Sequence, residues 1–470
     1  MRILFASIVV SALVASAAPS AAQAPSGPRS DRPYRGLFAG DTGNARQLLT
    51  LSASFGGGYD DDVFGNAPGG STPPPVSSVV GQGGSSSYLT GSAQLGYSVS
   101  KAGMAFSASG GTGTGYYPGL SEPTIVHHNA SVGASFQVAR HASFSFAQAE
   151  AYQPFYFWSG LPLDVIPVDV TPVFDPGTMT IADAVQAASL GLKQPIAADA
   201  VAGQQAEYYL TSDSSVGFTQ GLSKRVNLTM GYGYQRSDSK SGIRNFESQS
   251  ASGILSYGLG KGVSLRAGYG YTAADYPRAD GTVDRFEGHS IDGGVDYNKA
   301  LSVSRRTTLG FQTGMSGVSD GRQMHYGIIG NVQLTHEMGR SWSTGVGYSR
   351  NVSYAETFRA PVLSDNLFGG LSGLLSRTVQ FHAAAGASRG NVGFAGANDL
   401  ESYFASASTR FAFSRKAGLS VYYTYYRYSF GIGIELPPGI SRFTNRQSFG
   451  FSVDTWVPLI QRNRSANATR

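Results

Sequence analysis

From Val263 to Thr272 the side chains alternate without a break. Val263, Leu265, Ala267, Tyr269 and Tyr271 fall on one face, and Ser264, Arg266, Gly268, Gly270 and Thr272 on the other. A period of two is that of an extended strand. The apolar face ends in tyrosines and the opposite face is small, polar and once charged, which suits a strand with lipid on one side and water on the other. Residues 226–235 repeat the unit, with Val226, Leu228, Met230, Tyr232 and Tyr234 opposite Asn227, Thr229, Gly231, Gly233 and Gln235. The same pattern predicts strands over 46–58, 88–100, 226–237, 419–430 and 446–459, among others.

Basic residues punctuate the pattern at the tight turns: Lys101, Arg140, Lys224-Arg225, Lys261, Arg305-Arg306, Arg340, Arg377 and Arg415-Lys416. From Arg225 onward they recur roughly every 35 to 44 residues, a hairpin-sized period holding two strands and one longer loop. The plan counts to about eighteen strands, with sixteen as the alternative. An even count returns both ends of the strand region to one side and sets all eight basic turns there. Strand fourteen, near 358–373, fits least well, because Pro361 and Gly369-Gly370 argue against ladder pairing.

The fold class is therefore all-β: a single transmembrane, antiparallel, up-and-down barrel with one long proline-rich loop containing a short helix. A soluble sandwich or propeller would also show short strands and glycine-rich turns. The length of these strands, and the Tyr and Phe near the ends of their apolar faces, favour the barrel.

The N-terminus supplies an address. Met1-Arg2, an apolar run over 3–15 and small residues up to Ala24 read as a signal peptide over 1–24. A periplasmic linker over 25–45, the barrel over 46–459 and a periplasmic tail over 460–470 complete the expected organisation. No later window offers the ~20 consecutive apolar residues of a membrane helix. With 62 Gly, 26 Tyr, 26 Phe, no Cys and 14% charged residues in 470, the composition fits a barrel closed by its own hydrogen-bond ladder, without disulfides. The net charge of +5 is spread along the chain rather than gathered in a patch, which argues against nucleic acid as a partner.

A barrel of this size encloses water unless something fills it. The one insertion that breaks the hairpin period is 154–204. It is rich in proline and carries Asp164, Asp169, Asp175, Asp183 and Asp199 against Lys193 alone. Within it, Thr180 as N-cap, Asp183 at the third position and Gly191 as the stop read as a short helix. Either the segment folds into the lumen as a constriction that favours cations or hydroxyl-rich solutes, or it packs over the mouth as a cap. Alternation assigns Arg266, Asp292, Asp296, His325, Gln333, Gln380, His382 and Arg410 to the lumen wall, mixed in sign and far apart in sequence. Tyr422 and Tyr426 share one face of their strand, where their rings either stack on sugars in the lumen or anchor the interface. Asp60, Asp61 and Asp62 offer carboxylates to a divalent cation, or else form a hydrated acidic loop bridged by such ions to lipopolysaccharide. Catalytic signals are poor: the sequence has no His-Glu-x-x-His, no P-loop and no Cys nucleophile. No cofactor is expected, and a hydrolase assembled from separate strands is the least favoured alternative to a channel or a closed structural barrel.

Gly57-Gly58-Tyr59-Asp60-Asp61-Asp62-Val63 near the start, and Trp456-Val457-Pro458-Leu459 closing the last strand, resemble the opening and ending of outer-membrane β-barrel porins of the porin-2-like group. The resemblance implies a Gram-negative outer membrane and partners drawn from its lipid and lipopolysaccharide. It also implies passage of a hydrophilic solute or a link to exopolysaccharide export. Two departures stand out: Asp62 occupies a position where Asn is expected, and the tail runs past the last strand. The barrel assembly machinery would then have to read Phe449, Phe451 or Trp456 in place of a terminal aromatic.

Overall fold

The computed structural model of the chain describes residues 45–463 except for 62–85, 155–207 and short segments at 102, 119–123, 240–244, 261, 278–280, 302–303, 320–322, 340, 356–357, 359, 394–397, 415 and 435–441. The expected signal peptide, the expected linker up to residue 44, and the acidic segment from 155 with its expected helix fall outside the described residues.

The alternating stretches pair as ladders. In chain order the strands are β1 (Ala45–Asp60), β2 (Ser86–Lys101), β3 (Met104–Tyr116), β4 (Thr124–Ala139), β5 (Ala142–Pro154), β6 (Tyr208–Gly221), β7 (Val226–Ser239), β8 (Phe246–Gly260) and β9 (Val263–Pro277). They continue as β10 (Val283–Leu301), β11 (Ser304–Ser319), β12 (Met324–Met338), β13 (Trp342–Ala355), β14 (Ala360–Leu374), β15 (Val379–Val392), β16 (Asp399–Ala412), β17 (Ala417–Phe430) and β18 (Phe443–Asn463). Each strand is antiparallel to its sequence neighbour, and β1 pairs with both β2 and β18, which closes the sheet into an 18-stranded barrel with no free edge.

All eight basic turns lie at the end where Ala45 and Asn463 pair; we call it the short-turn end. Gly103 and Gly262 sit in two of these turns with φ of 75° and 76°, the left-handed conformation that a side chain resists and a tight reversal needs. Two boundaries differ from the expected ones. The final ladder runs to Asn463 rather than stopping at Leu459, because the first strand supplies partners that far. Strand β14 pairs along its whole length despite Pro361, which sits at the strand's second position, where its carbonyl still accepts from the Gly393 amide.

Cross-strand partners share a face, so the registers carry the inside–outside assignment of one strand to the next. On the face that includes Leu51, Leu95, Met230, Leu265, Ile291, Ile328 and Val346, large apolar side chains are exposed, Ile328 by 74%. Such a surface is stable only against lipid or a partner. Nearer the loop end, outward tyrosines hand over to polar groups: the Tyr348 hydroxyl donates to Asp365 at 2.5 Å and Tyr423 to Gln447 at 2.9 Å. Above them run two cross-strand rows of charge, Arg236–Glu247–Asp275–Arg285 on β7 to β10 and Arg350–Asp365–Arg389–Glu401 on β13 to β16. The apolar band thus ends in an aromatic and then a charged border, as a membrane interface requires.

The opposite face is lined by hydroxyls paired across strands, such as Thr424 with Ser448 at 2.6 Å and Ser343 with Ser372 at 3.0 Å. Here glycine makes room for aromatic rings that lie flat on the neighbouring strand. A Cβ at Gly450 would come within 2.5 Å of the Tyr422 ring.

Candidate functional site

The site is the lumen. By register, Arg266 (β9) stands opposite Gly294 and Ser256, while Asp292 and Asp296 take the β10 positions opposite Gly268 and Ser264. His325 and Gln333 occupy β12 positions opposite Val318 and Gly310, and Gln380 and His382 lie on β15 opposite Arg410 and Ser408. All eight positions share the face turned away from the exposed apolar residues. The structure groups them on three sectors of the wall rather than at one point. Arg266 is buried, and its Nη2 donates to the Thr313 carbonyl at 3.3 Å. Arg410 donates from Nη2 to Asp454 Oδ2 at 3.0 Å, and the Ser420 hydroxyl donates to the same oxygen at 2.8 Å.

Alternation alone did not single out Asp454, nor the pair nearer the loop end of the same wall. Arg446 donates from Nε to both Asp60 oxygens at 3.0 Å and from Nη2 to Oδ2 at 2.7 Å, with the side chains only 3% and 0% exposed. Asp60 is taken up by a guanidinium, and Asp61 accepts the Gln447 backbone N–H at 2.6 Å. Asp62 lies outside the described residues. Among the described residues no three His, Cys, Asp or Glu side chains are grouped to hold a metal.

The tyrosines of this sector face inward. The Tyr422 and Tyr88 hydroxyls meet at 3.3 Å, Tyr88 stacks on Tyr117 at 5.5 Å, and Tyr426 stacks on Tyr428 at 6.2 Å. Their parity with Ser420 and Thr424 was the signal available in the sequence.

Above the tyrosines an apolar cluster crosses the lumen. Val362, Val392, Leu400, Tyr428 and Phe430 project from β14 to β17, and Phe358 and Ile434 come from the adjoining loops. Tyr209, from β6, packs in the same cluster and is 1% exposed. Strand β6 is eight strands from β16 by the shorter way round the closed sheet, so the cluster, with its loop members, draws on facing walls. The loop holding Ile434 is tied down by Arg442, whose Nη2 donates to the Ile434 carbonyl at 3.1 Å, and by the Gly431 amide, which donates to the Asp399 carbonyl at 2.7 Å. The lumen therefore combines a hydroxyl-rich wall, two internally compensated ion pairs and an apolar bridge at the loop end.

No family model matches the chain, and no curated protein matches it. Solved structures do. The Pseudomonas aeruginosa OccK2 (OpdF) complex with glucuronate aligns over 88% of this chain and 98% of its own at 10% identity and a TM-score of 0.44. Acinetobacter baumannii OccAB1 aligns over 89% and 100% at 11% identity and 0.41. The siderophore receptor PirA from Pseudomonas aeruginosa aligns over 87% and 80% at 9% identity and 0.41. Identities this low and superpositions this loose carry no function from those proteins to this chain.

Proposed function

We propose that the chain is an outer-membrane channel whose lumen passes a hydrophilic solute or an exported polysaccharide and is gated at the loop end by the apolar bridge. The closed ladder leaves no backbone group unpaired at an edge and its outer face is apolar, the combination a lipid bilayer selects. The single observation that carries the gate is that Tyr209 of β6 belongs to one buried apolar cluster with residues of β14 to β17 and their adjoining loops. An apolar constriction excludes water and ions until its side chains separate. The hydroxyl-rich wall below it suits a polar solute, and the pairing of Asp60 with Arg446 and Asp454 with Arg410 leaves those charges little pull on ions.

The test is single-channel conductance in a planar bilayer, comparing the unaltered protein with Tyr209→Ala combined with Leu400→Ala. A larger or more frequently open conductance in the double variant supports the gated channel. If neither protein conducts although heat-modifiable gel mobility shows both folded, the channel reading falls. The closed structural or binding barrel, which the same bridge also favours, then takes its place.

A further inference from the structure

Among the described residues, the cross-strand row of Arg236, Glu247, Asp275 and Arg285 continues on β6 and β5 into a polar group set among apolar side chains of the outward face. On β5 and β6, Gln148, Glu150, Ser212 and Ser214 are cross-strand partners on the face of Phe144, Phe146, Val216 and Phe218. Tyr152 and Leu210, both exposed, continue that face toward the loops, so the quartet has apolar side chains above and below it. Gln148 Nε2 donates to Glu150 Oε1 at 2.6 Å and the Ser212 hydroxyl donates to the same oxygen at 2.8 Å. Both bonds fall on Oε1; among the described residues Oε2 receives none. An ionisable side chain turned toward lipid is costly and points to a partner. The cation on the same cross-strand row, Arg236, is engaged by Asp238 at 2.7 Å.

The complementary group is one strand away. His128, on β4, is exposed and outward and stacks on Tyr152 at 6.3 Å between ring centroids, with no hydrogen bond to either ring nitrogen among the described residues. It lies one diagonal from Glu150, since Ala130 pairs with Glu150 and His128 with Tyr152. With strands tilted by roughly 40°, that diagonal brings His128 and Glu150 to within roughly 2 Å of the same height along the barrel axis. Ala130 falls between them on the short-turn side, with Ala108 below it, and Tyr152 on the loop side.

We infer that the outward face of β4 and β5 is the contact surface for a second copy of this chain. The two barrels are related by a two-fold axis along the membrane normal that sets each Glu150 against the partner copy's His128. A two-fold makes the patch meet itself, and this patch holds one acceptor and one donor at equal height on either side of a small-residue centre, as such a contact demands. Small residues let two barrels approach closely in lipid, where packing and polar contacts drive association. The inference rests on the membrane placement proposed above but not on conduction.

Because the chain has no cysteine, single-cysteine variants test it without background. Ala130→Cys, near the axis, is expected to yield a disulfide-linked dimer on mild oxidation in native membranes. Val332→Cys, outward on β12, is expected to stay monomeric. The mass of the detergent-solubilised protein should correspond to two copies. It should fall to one in Glu150→Ala and return to two in the exchange variant carrying Glu150→His and His128→Glu. Equal cross-linking at both positions, a mass of one or three copies for the unaltered protein, or an exchange variant no better than the single one would overturn the inference. Heat-modifiable mobility shows separately that each variant is a folded membrane barrel, so a failure of membrane placement is told apart from a failure of the contact.

Discussion

Replacing Asp60 by Ala probes the closure of the barrel more directly than any other single change. The carboxylate accepts three hydrogen bonds of 2.7 to 3.0 Å from one guanidinium, and both side chains are almost wholly removed from solvent. Removing one partner of such a pair leaves a buried charge without compensation, which costs about 3–5 kcal/mol. The two residues are 386 positions apart and hold the first strand to the last, so the loss falls on the seam that forms when the sheet closes. The assay is urea-dependent unfolding in lipid vesicles, read by heat-modifiable gel mobility. Two controls bound the result. Arg389→Ala removes an exposed pair at 3.7 Å with side chains 73% and 42% accessible, and should cost no more than about 1 kcal/mol. Combining Asp60→Ala with Arg446→Leu removes both charges and should recover most of the loss, because the penalty lies in a buried guanidinium deprived of its carboxylate. If Asp60→Ala destabilises no more than Arg389→Ala, or if the double variant is as unstable as the single one, the buried pair does not hold the seam.

Three further outcomes follow from the same geometry. Leu265→Arg places a charge on the outward face and should destabilise the barrel in lipid by about 2–4 kcal/mol, whereas Thr229→Arg on the inward face should cost far less; vesicle refolding compares them. Gly450→Val should cost about 1–3 kcal/mol, because the added atoms meet the Tyr422 ring, and Tyr422→Ala in the same chain should restore part of it, a coupling that a double-mutant cycle measures. Arg410→Ala leaves Asp454, which is 6% exposed, with the Ser420 hydroxyl but no cation; bilayer recordings of the proposed channel should show a shift toward cations relative to the unaltered protein.

Much of the fold was legible because its controlling signal is local. A period of two fixes strand identity, and a basic residue at each tight turn marks the hairpins, so the count of eighteen needed no knowledge of distant contacts. Strand β14 was the hardest to read, since Pro361 and Gly369-Gly370 weaken the local pattern. Its ladder forms because β13 and β15 supply partners on both sides. The inward parity of Arg266, Gln380 and Arg410 could also be read from alternation. The engagement of Asp60 by Arg446 could not, because an aspartate run next to a loop looks the same whether it meets water, a cation or a guanidinium.

The amino-acid order by itself thus determined the strands, their approximate number, the end at which the turns gather and the face each side chain takes, all properties of neighbours along the chain. Only the tertiary structure decided which inward residues meet. Closing the sheet brings Asp60 beside Arg446, and the diameter and stagger of the closed barrel bring Tyr209 to the wall that carries Leu400 and Tyr428. Those contacts depend on the summed register of eighteen ladders, a quantity that no single strand encodes.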